Sequence, residues 1–146
     1  MPQAKPLRSS AAGALTGTAR VPGDKSISHR SLMLGAVAVG ETVVHGLLEG
    51  EDVLHTASAM RALGAEAERD AAGVWRVRGV GVGGLGEPAR VLDMGNSGTA
   101  ARLLIGLVAA HPITCFFTGD ASLNKRPMAR VIGPLERMGA SFVSRA

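Results

Sequence analysis

The sequence predicts a mixed α/β fold assembled from repeated βαβαββ units, with about two units present and the second incomplete. Three observations lead there. Helical and strand-like apolar runs alternate along the chain, the alternation occurs twice with shared short anchors, and a glycine closes the second helix of each copy.

In the first copy, a strand-like Thr18–Val21 is broken by Pro22 and Gly23. The pattern then predicts a helix from near Ser26 to Val39 and a strand from Thr42 to Leu47. A second helix covers about Val53 to Leu63, with strands at Glu66–Arg69 and Val74–Arg78. In the second copy a helix spans about Thr99 to Ala110, a strand Ile113 to Thr118, and a helix about Pro127 to Met138. A further strand begins at Ala140. Gly35-Ala-Val-Ala matches Gly106-Leu-Val-Ala, and Arg61-Ala-Leu-Gly-Ala matches Arg137-Met-Gly-Ala with one gap, at offsets of 71 and 75 residues. Gly64 and Gly139 suit left-handed C-caps. Asp52 and Asp120 are placed to organise the starts of the second helices, and Pro127 fits a first helical turn. A single unit cannot cover both faces of its sheet, so units are expected to pack on one another. Residues 1–16 read as a flexible tail. Residues 17–146 read as part of one domain, with units at about 20–90 and 91–146.

The composition narrows the function. Of 146 residues, 46% are hydrophobic and 19% charged, a globular balance rather than a disordered one. No run of apolar residues is long enough to span a membrane, and the first thirteen residues lack the apolar stretch of a signal peptide. The lone Cys115 cannot form an internal disulfide, which suits a reduced, cytoplasmic setting. None of the four His stands at metal-ligand spacing from Cys or another His, so the sequence points to no metal. The net charge of +4 fits either nucleic acid or small anions. With no Tyr, one Trp and three Phe, two of which (Phe116 and Phe117) fall in an expected core strand, no base-stacking surface is evident. Small anionic metabolites are the better reading.

Three motifs carry the chemistry. In Gly23-Asp24-Lys25-Ser26-Ile27-Ser28-His29-Arg30-Ser31, a glycine turn leads straight into a helix. Free backbone N–H groups and the positive helix end should therefore converge on Lys25 and Ser26, with Arg30 one turn further on. The bland alternative is a capped helix with a solvated basic end. In Asp93-Met94-Gly95-Asn96-Ser97-Gly98-Thr99-Ala100-Ala101-Arg102, two glycines allow close backbone approach to a ligand. Asn96, Ser97 and Thr99 offer neutral donors, while Arg102 reads as a tie between two elements. In Gly119-Asp120-Ala121-Ser122-Leu123-Asn124-Lys125-Arg126-Pro127-Met128, Lys125 and Arg126 precede a predicted helix. Cations are unfavourable at a helix N-terminus, which suggests an anion beside them.

Other matches carry less. Lys25-Ser26 imitates a nucleotide P-loop, but Asp24 intrudes and Gly17 stands one residue too far away. Gly79-Val-Gly81-Val-Gly83-Gly84 fits the dinucleotide pattern, yet Leu85-Gly86-Glu87-Pro88 follows where a helix is required, so it reads as a connector. Glu49, Glu51 and Asp52 read as helix capping, and His45, His55 and His111 have no catalytic partner in the sequence.

GDKSISHRS, GNSGTAAR and GDASLNKRPM, in this order and spacing, resemble the start of the 5-enolpyruvylshikimate-3-phosphate synthase family, over about Gly17 to Ala146. The forms SISHRS and ASLNKRPM, with LLEGEDV between them, look most like its glyphosate-tolerant bacterial branch. The resemblance implies an inside-out barrel of βαβαββ units and transfer of the enolpyruvyl group of phosphoenolpyruvate to the 5-hydroxyl of shikimate 3-phosphate. It implies Lys25, Ser26 and Arg30 around shikimate 3-phosphate, and Lys25, Asn96, Gly98 and Arg126 around phosphoenolpyruvate, with Lys25 catalytic. It implies no cofactor, no nucleic acid or membrane partner, a monomeric complete enzyme and a cytoplasmic setting. The family's acid/base carboxylates lie outside this chain, so the chain alone is expected to be inactive. Leu103 stands where many relatives carry Pro, which argues for partial glyphosate tolerance, whereas Gly98 argues for sensitivity. Two alternatives stay open: a UDP-N-acetylglucosamine enolpyruvyl transferase, which usually has Lys-Asn at Lys25-Ser26, and a non-catalytic anion-binding module.

Overall fold

Two small sheets organise the chain in its computed structural model, which describes residues 6–144. The elements run α1 Lys25–Val37, β1 Val39–Val44, α2 Glu51–Ala62, β2 Glu66–Arg69, β3 Trp75–Val80, β4 Leu92–Asp93, α3 Gly98–Val108, β5 Phe117–Thr118 and α4 Ala129–Arg137. A single 3₁₀ turn, Leu123–Lys125, lies between β5 and α4.

The first sheet is antiparallel in the order β1-β3-β2, with Val44 opposite Trp75 and Val39 opposite Val80. Alternation along β3 sends Trp75 and Val77 into the core and Arg76 and Arg78 outward. On the outer face the two arginines meet Glu41 of β1, and Arg78 also meets Glu66 of β2. The second sheet pairs β4 with β5 in parallel. Strands so paired cannot be joined by a hairpin, and α3 makes the crossover. Leu32 and Ala36 of α1, Val53 and Met60 of α2 and Leu104 of α3 meet Val77 in one core, all of them fully buried.

The two glycine stops form as the sequence predicts. Gly64 has φ +104° and Gly139 φ +100°. At the first, Ala65 N–H donates to Met60 O and Gly64 N–H to Arg61 O, both at 3.1 Å. At the second, Ala140 donates to Leu135 and Gly139 to Glu136 in the same pattern. Both are Schellman closures.

Several boundaries differ from expectation. α1 stops at Val37, because Ala38 is extended and its N–H turns back to Gly35 O, and β1 therefore starts at Val39 and not at Thr42. β1 ends at Val44 because Gly46 turns the chain at φ +68°, which leaves Leu47 free to enter the core. The extended stretch from Ile113 to Thr118 alternates in burial as a strand should, but only Phe117–Thr118 pairs, since β4 offers two residues. Phe116 consequently faces solvent, which corrects its expected place in the core. Pro127 precedes α4, which begins at Ala129, and Asp120 caps the 3₁₀ turn ahead of it. Thr18–Val21 forms no strand, and neither does Ala140 to Ser144. The predicted tail falls partly on residues 1–5, outside the described residues; residues 6–16 form no helix or strand. No helix among the described residues is long and apolar enough to cross a membrane.

Candidate anion-binding site

The first motif folds as a capped helix start. The Asp24 carboxylate accepts from Ile27 N–H at 2.7 Å, and the Asp24 carbonyl accepts from Ser28 N–H at 3.0 Å and Ser28 Oγ at 2.8 Å. This corrects the expectation of an open helix end, because a carboxylate already holds part of it; only amides before Ile27 remain for a ligand. Gly23 is there for packing, since a Cβ on it would sit 2.1 Å from Gly46 O. Lys25 Nζ stands 3.2 Å from Asp52 Oδ2 in the first turn of α2, with the lysine side chain half exposed. Ser26 and Arg30, four residues apart, share the next stripe of α1, and Arg30 is exposed.

Beneath Lys25 the same two helices meet again. His29, fully buried, lies with Nδ1 2.8 Å from Thr56 Oγ1, and its Nε2 has no hydrogen-bond partner among the described residues. Burial holds the His29 pKa below the usual histidine range; Asp52 opposes this and the Lys25 and Arg30 charges add to it.

The second and third motifs are zipped together. Met94 N–H donates to Thr118 O at 2.9 Å and Asp120 N–H to Gly95 O at 2.8 Å. Gly119 permits this approach, because a Cβ there would lie 2.6 Å from Gly95 O. Asn96 donates through Nδ2 to Asp120 Oδ2 and accepts at Oδ1 from Arg126 Nη2, both at 2.6 Å. The Asn96 bond, with two backbone N–H bonds from Leu123 and Ser122, holds the Asp120 carboxyl below its usual pKa.

Two guanidinium groups close over Gly98. A Cβ on Gly98 would lie 2.7 Å from Nη1 of Arg102 and 2.7 Å from Nη1 of Arg126, so those nitrogens stand within twice that distance of each other. Arg102 also donates to Gly98 O at 3.1 Å and Pro127 O at 3.3 Å, so it ties α3 to the third motif as expected. Its position over Gly98, beside Arg126, is new. Ser97, by contrast, is a buried N-cap whose Oγ accepts from Ala100 N–H at 3.1 Å, not a ligand donor.

The third motif places its cations differently from expectation. Lys125 lies in the last turn of the 3₁₀ helix and Arg126 is its C-cap, a favourable place for cations. These cations therefore do not sit at an unfavourable helix start that would call for an anion, and Arg126 stays a candidate through Asn96 and Gly98. Glu49 likewise serves no helix: it pairs with Arg69 and accepts from Trp75 Nε1 at 3.1 Å.

Helix α2 joins the two clusters. Asp52 holds Lys25, and one turn later His55 Nδ1 donates to Asp93 O at 2.8 Å and backs onto Gly95. Sequence reasoning missed Asp52, His55, Thr56 and the nearness of Arg102. The repeated four-residue spacing, Lys25/His29 against Asp52/Thr56, was the available signal.

Fold and site together define an α/β protein that gathers cationic side chains at helix ends beside glycine-rich turns. The family model described as EPSP synthase (3-phosphoshikimate 1-carboxyvinyltransferase) matches residues 10–146, and the chain belongs to that family. It is 73% identical over 145 residues to a 3-phosphoshikimate 1-carboxyvinyltransferase of Paramagnetospirillum magneticum, covering 99% of this chain and 32% of the relative. Against the protein of the same name from Novosphingobium aromaticivorans it is 69% identical over 140 residues, covering 96% and 32%. Among solved structures, an EPSP synthase from Acinetobacter baumannii superposes with a TM-score of 0.84 at 51% identity, over 89% of this chain and 29% of that one. The chain thus spans about a third of the length of the curated relatives it matches.

Proposed function

We propose that this chain supplies one part of the site for enolpyruvyl transfer from phosphoenolpyruvate to the 5-hydroxyl of shikimate 3-phosphate, within chorismate and aromatic amino acid biosynthesis. The observation that carries the reading is the pair of guanidinium groups over Gly98, held by neutral acceptors and not by carboxylates. Like charges gathered this way favour an anion that bridges them. Arg126, Asn96 and Gly98 hold phosphoenolpyruvate, Ser26 and Arg30 hold the phosphorylated acceptor, and Lys25 serves both. Asp52, already beside Lys25 at 3.2 Å, aims that ammonium until substrate arrives.

The reaction needs two polyanions held at one point, the 5-hydroxyl attacking C2 while C3 gains a proton, and phosphate leaving a tetrahedral adduct. Cations supply the first requirement. The proton steps need a carboxylate acid/base, and the acids at these clusters, Asp24, Asp52 and Asp120, are engaged in capping and pairing. The chain by itself therefore carries out no turnover. Residues 17–146 belong to a partial domain of the inside-out barrel, with βαβαββ units at about 20–90 and 91–146, in a monomeric cytoplasmic enzyme.

The test uses an enzyme of the relatives' length carrying this segment. Lys25→Ala is expected to damage the use of both substrates, and Arg30→Ala mainly that of shikimate 3-phosphate, by about 1.5–3 kcal/mol for a lost charged hydrogen bond. Unchanged shikimate 3-phosphate affinity in Arg30→Ala would remove Arg30 from the site. Product formation by the isolated chain above background would overturn the claim of inactivity.

A further inference from the structure

Helices α1 and α2 are joined by two rungs of identical spacing. Lys25 meets Asp52 at 3.2 Å and His29 meets Thr56 at 2.8 Å, each pair separated by 27 residues. On each helix the two members are four residues apart and so lie on one face. The outer rung is partly exposed, while both residues of the inner rung are fully buried.

The inner rung has a defined proton order. Thr56 Oγ1 lies 3.3 Å from the Asp52 carbonyl, which can only accept, and it has one proton to give. If that proton goes to Asp52 O, the hydroxyl oxygen accepts from His29 Nδ1–H, and both contacts are satisfied. The reverse order would place the imidazole proton on Nε2, which is buried without a partner among the described residues. A buried orphan donor is rarer and costlier than an orphan acceptor. His29 is therefore neutral, with its proton on Nδ1.

We infer that His29 is a positioning residue for Lys25, acting through Thr56 and the first turn of α2. The exposed Lys25–Asp52 pair is worth too little to fix the rotation of one helix on the other. The buried rung does so, because turning α1 by one residue would strand Nδ1–H in the core and leave Thr56 without its donor. Thr56 also holds the carbonyl of Asp52, the residue that receives Lys25. A purely apolar contact would pack these helices without specifying that register. The inference rests on the reading of Lys25 as a substrate-binding residue, but its test observes Lys25 without substrate, so either can fail alone.

The test uses the chain itself. Long-range proton–nitrogen correlation spectra of the four imidazoles should show His29 protonated on Nδ1 and bare on Nε2 at neutral pH. Protonation on Nε2 instead would overturn the proton order. Competitive acylation then compares Lys25 with Lys125, two of only three lysines. Thr56→Val, which keeps the shape and removes the hydroxyl, is expected to raise the Lys25:Lys125 labelling ratio about two- to fivefold, the range of an exposed ion pair. Asp52→Asn should raise it equally, and Thr56→Ser should leave it at the parental value. If Thr56→Val does not fold, His29→Leu decides: it removes Nδ1–H and should raise the ratio as Asp52→Asn does. The positioning role is refuted if the ratio of Thr56→Val, or of His29→Leu in its place, stays parental while that of Asp52→Asn rises, or if Asp52→Asn has no effect.

Discussion

The side-chain oxygen of Asn96 accepts from Arg126 Nη2 at 2.6 Å while its nitrogen donates to Asp120 at the same distance. The amide cannot be flipped, because its oxygen would then face a carboxylate and its nitrogen a guanidinium. Asn96 thus converts the charge of Asp120 into a fixed aim for Arg126. On the proposed reading, Asn96→Ala in an enzyme of the relatives' length should weaken phosphoenolpyruvate binding roughly tenfold, about 1.4 kcal/mol, with little change in thermal stability. Calorimetric titration of both forms measures it, and an unchanged affinity would mean that Arg126 aims itself.

Gly98→Ala should weaken glyphosate more than phosphoenolpyruvate in an enzyme of full length. The new methyl would lie 2.7 Å from Arg102 Nη1 and Arg126 Nη1. Both are ends of flexible side chains, so the chain yields by moving two cations, and the longer inhibitor loses space first. Parallel inhibition curves decide it; equal losses for inhibitor and substrate would show that Gly98 does not discriminate.

Gly23→Ala should act on stability. Its Cβ would fall 2.1 Å from Gly46 O, a backbone atom that cannot swing aside. A loss of about 1–3 kcal/mol is expected from such overpacking, read as a lower urea midpoint. Gly98→Ala, which meets only side-chain ends, should cost less. The reverse ranking would contradict the packing described.

Stability should fall with acid in a way that reports His29. Its folded pKa lies below the ordinary value of 6.5, so as pH drops the unfolded chain takes up the proton first. The stabilisation is whole above about 6.5, is lost as pH falls below it, and levels off beneath the folded pKa. Asp120, also lowered, adds a later loss in the carboxylate range. Urea midpoints between pH 7.5 and 5.5 should slope for the parent and flatten for His29→Asn; equal slopes would assign the effect elsewhere.

Much of this was legible in the residues. Apolar periodicity located α1, α2 and α3, and Gly64 and Gly139 marked two helix ends, because those signals are local. Pairing partners were not. Ile113 to Thr118 has the composition of a strand, yet its ladder length is set by Leu92–Asp93, more than twenty residues away. In the site, the motifs named Lys25, Asn96, Gly98 and Arg126. They could not show that Asp24 closes its own helix end or that Arg102 leans over Gly98, since both depend on where side chains point after packing.

The two Schellman closures are punctuation written in place: each is spelled within six residues, and the first is also countersigned from afar, where Gly86 N–H donates to Leu63 O at 2.8 Å. Of the glycine-rich stretch that follows β3, only the exposed tip from Val82 to Gly84 can therefore be lengthened without either helix losing its full stop. A graft into that tip would read on in the same register at Gly139.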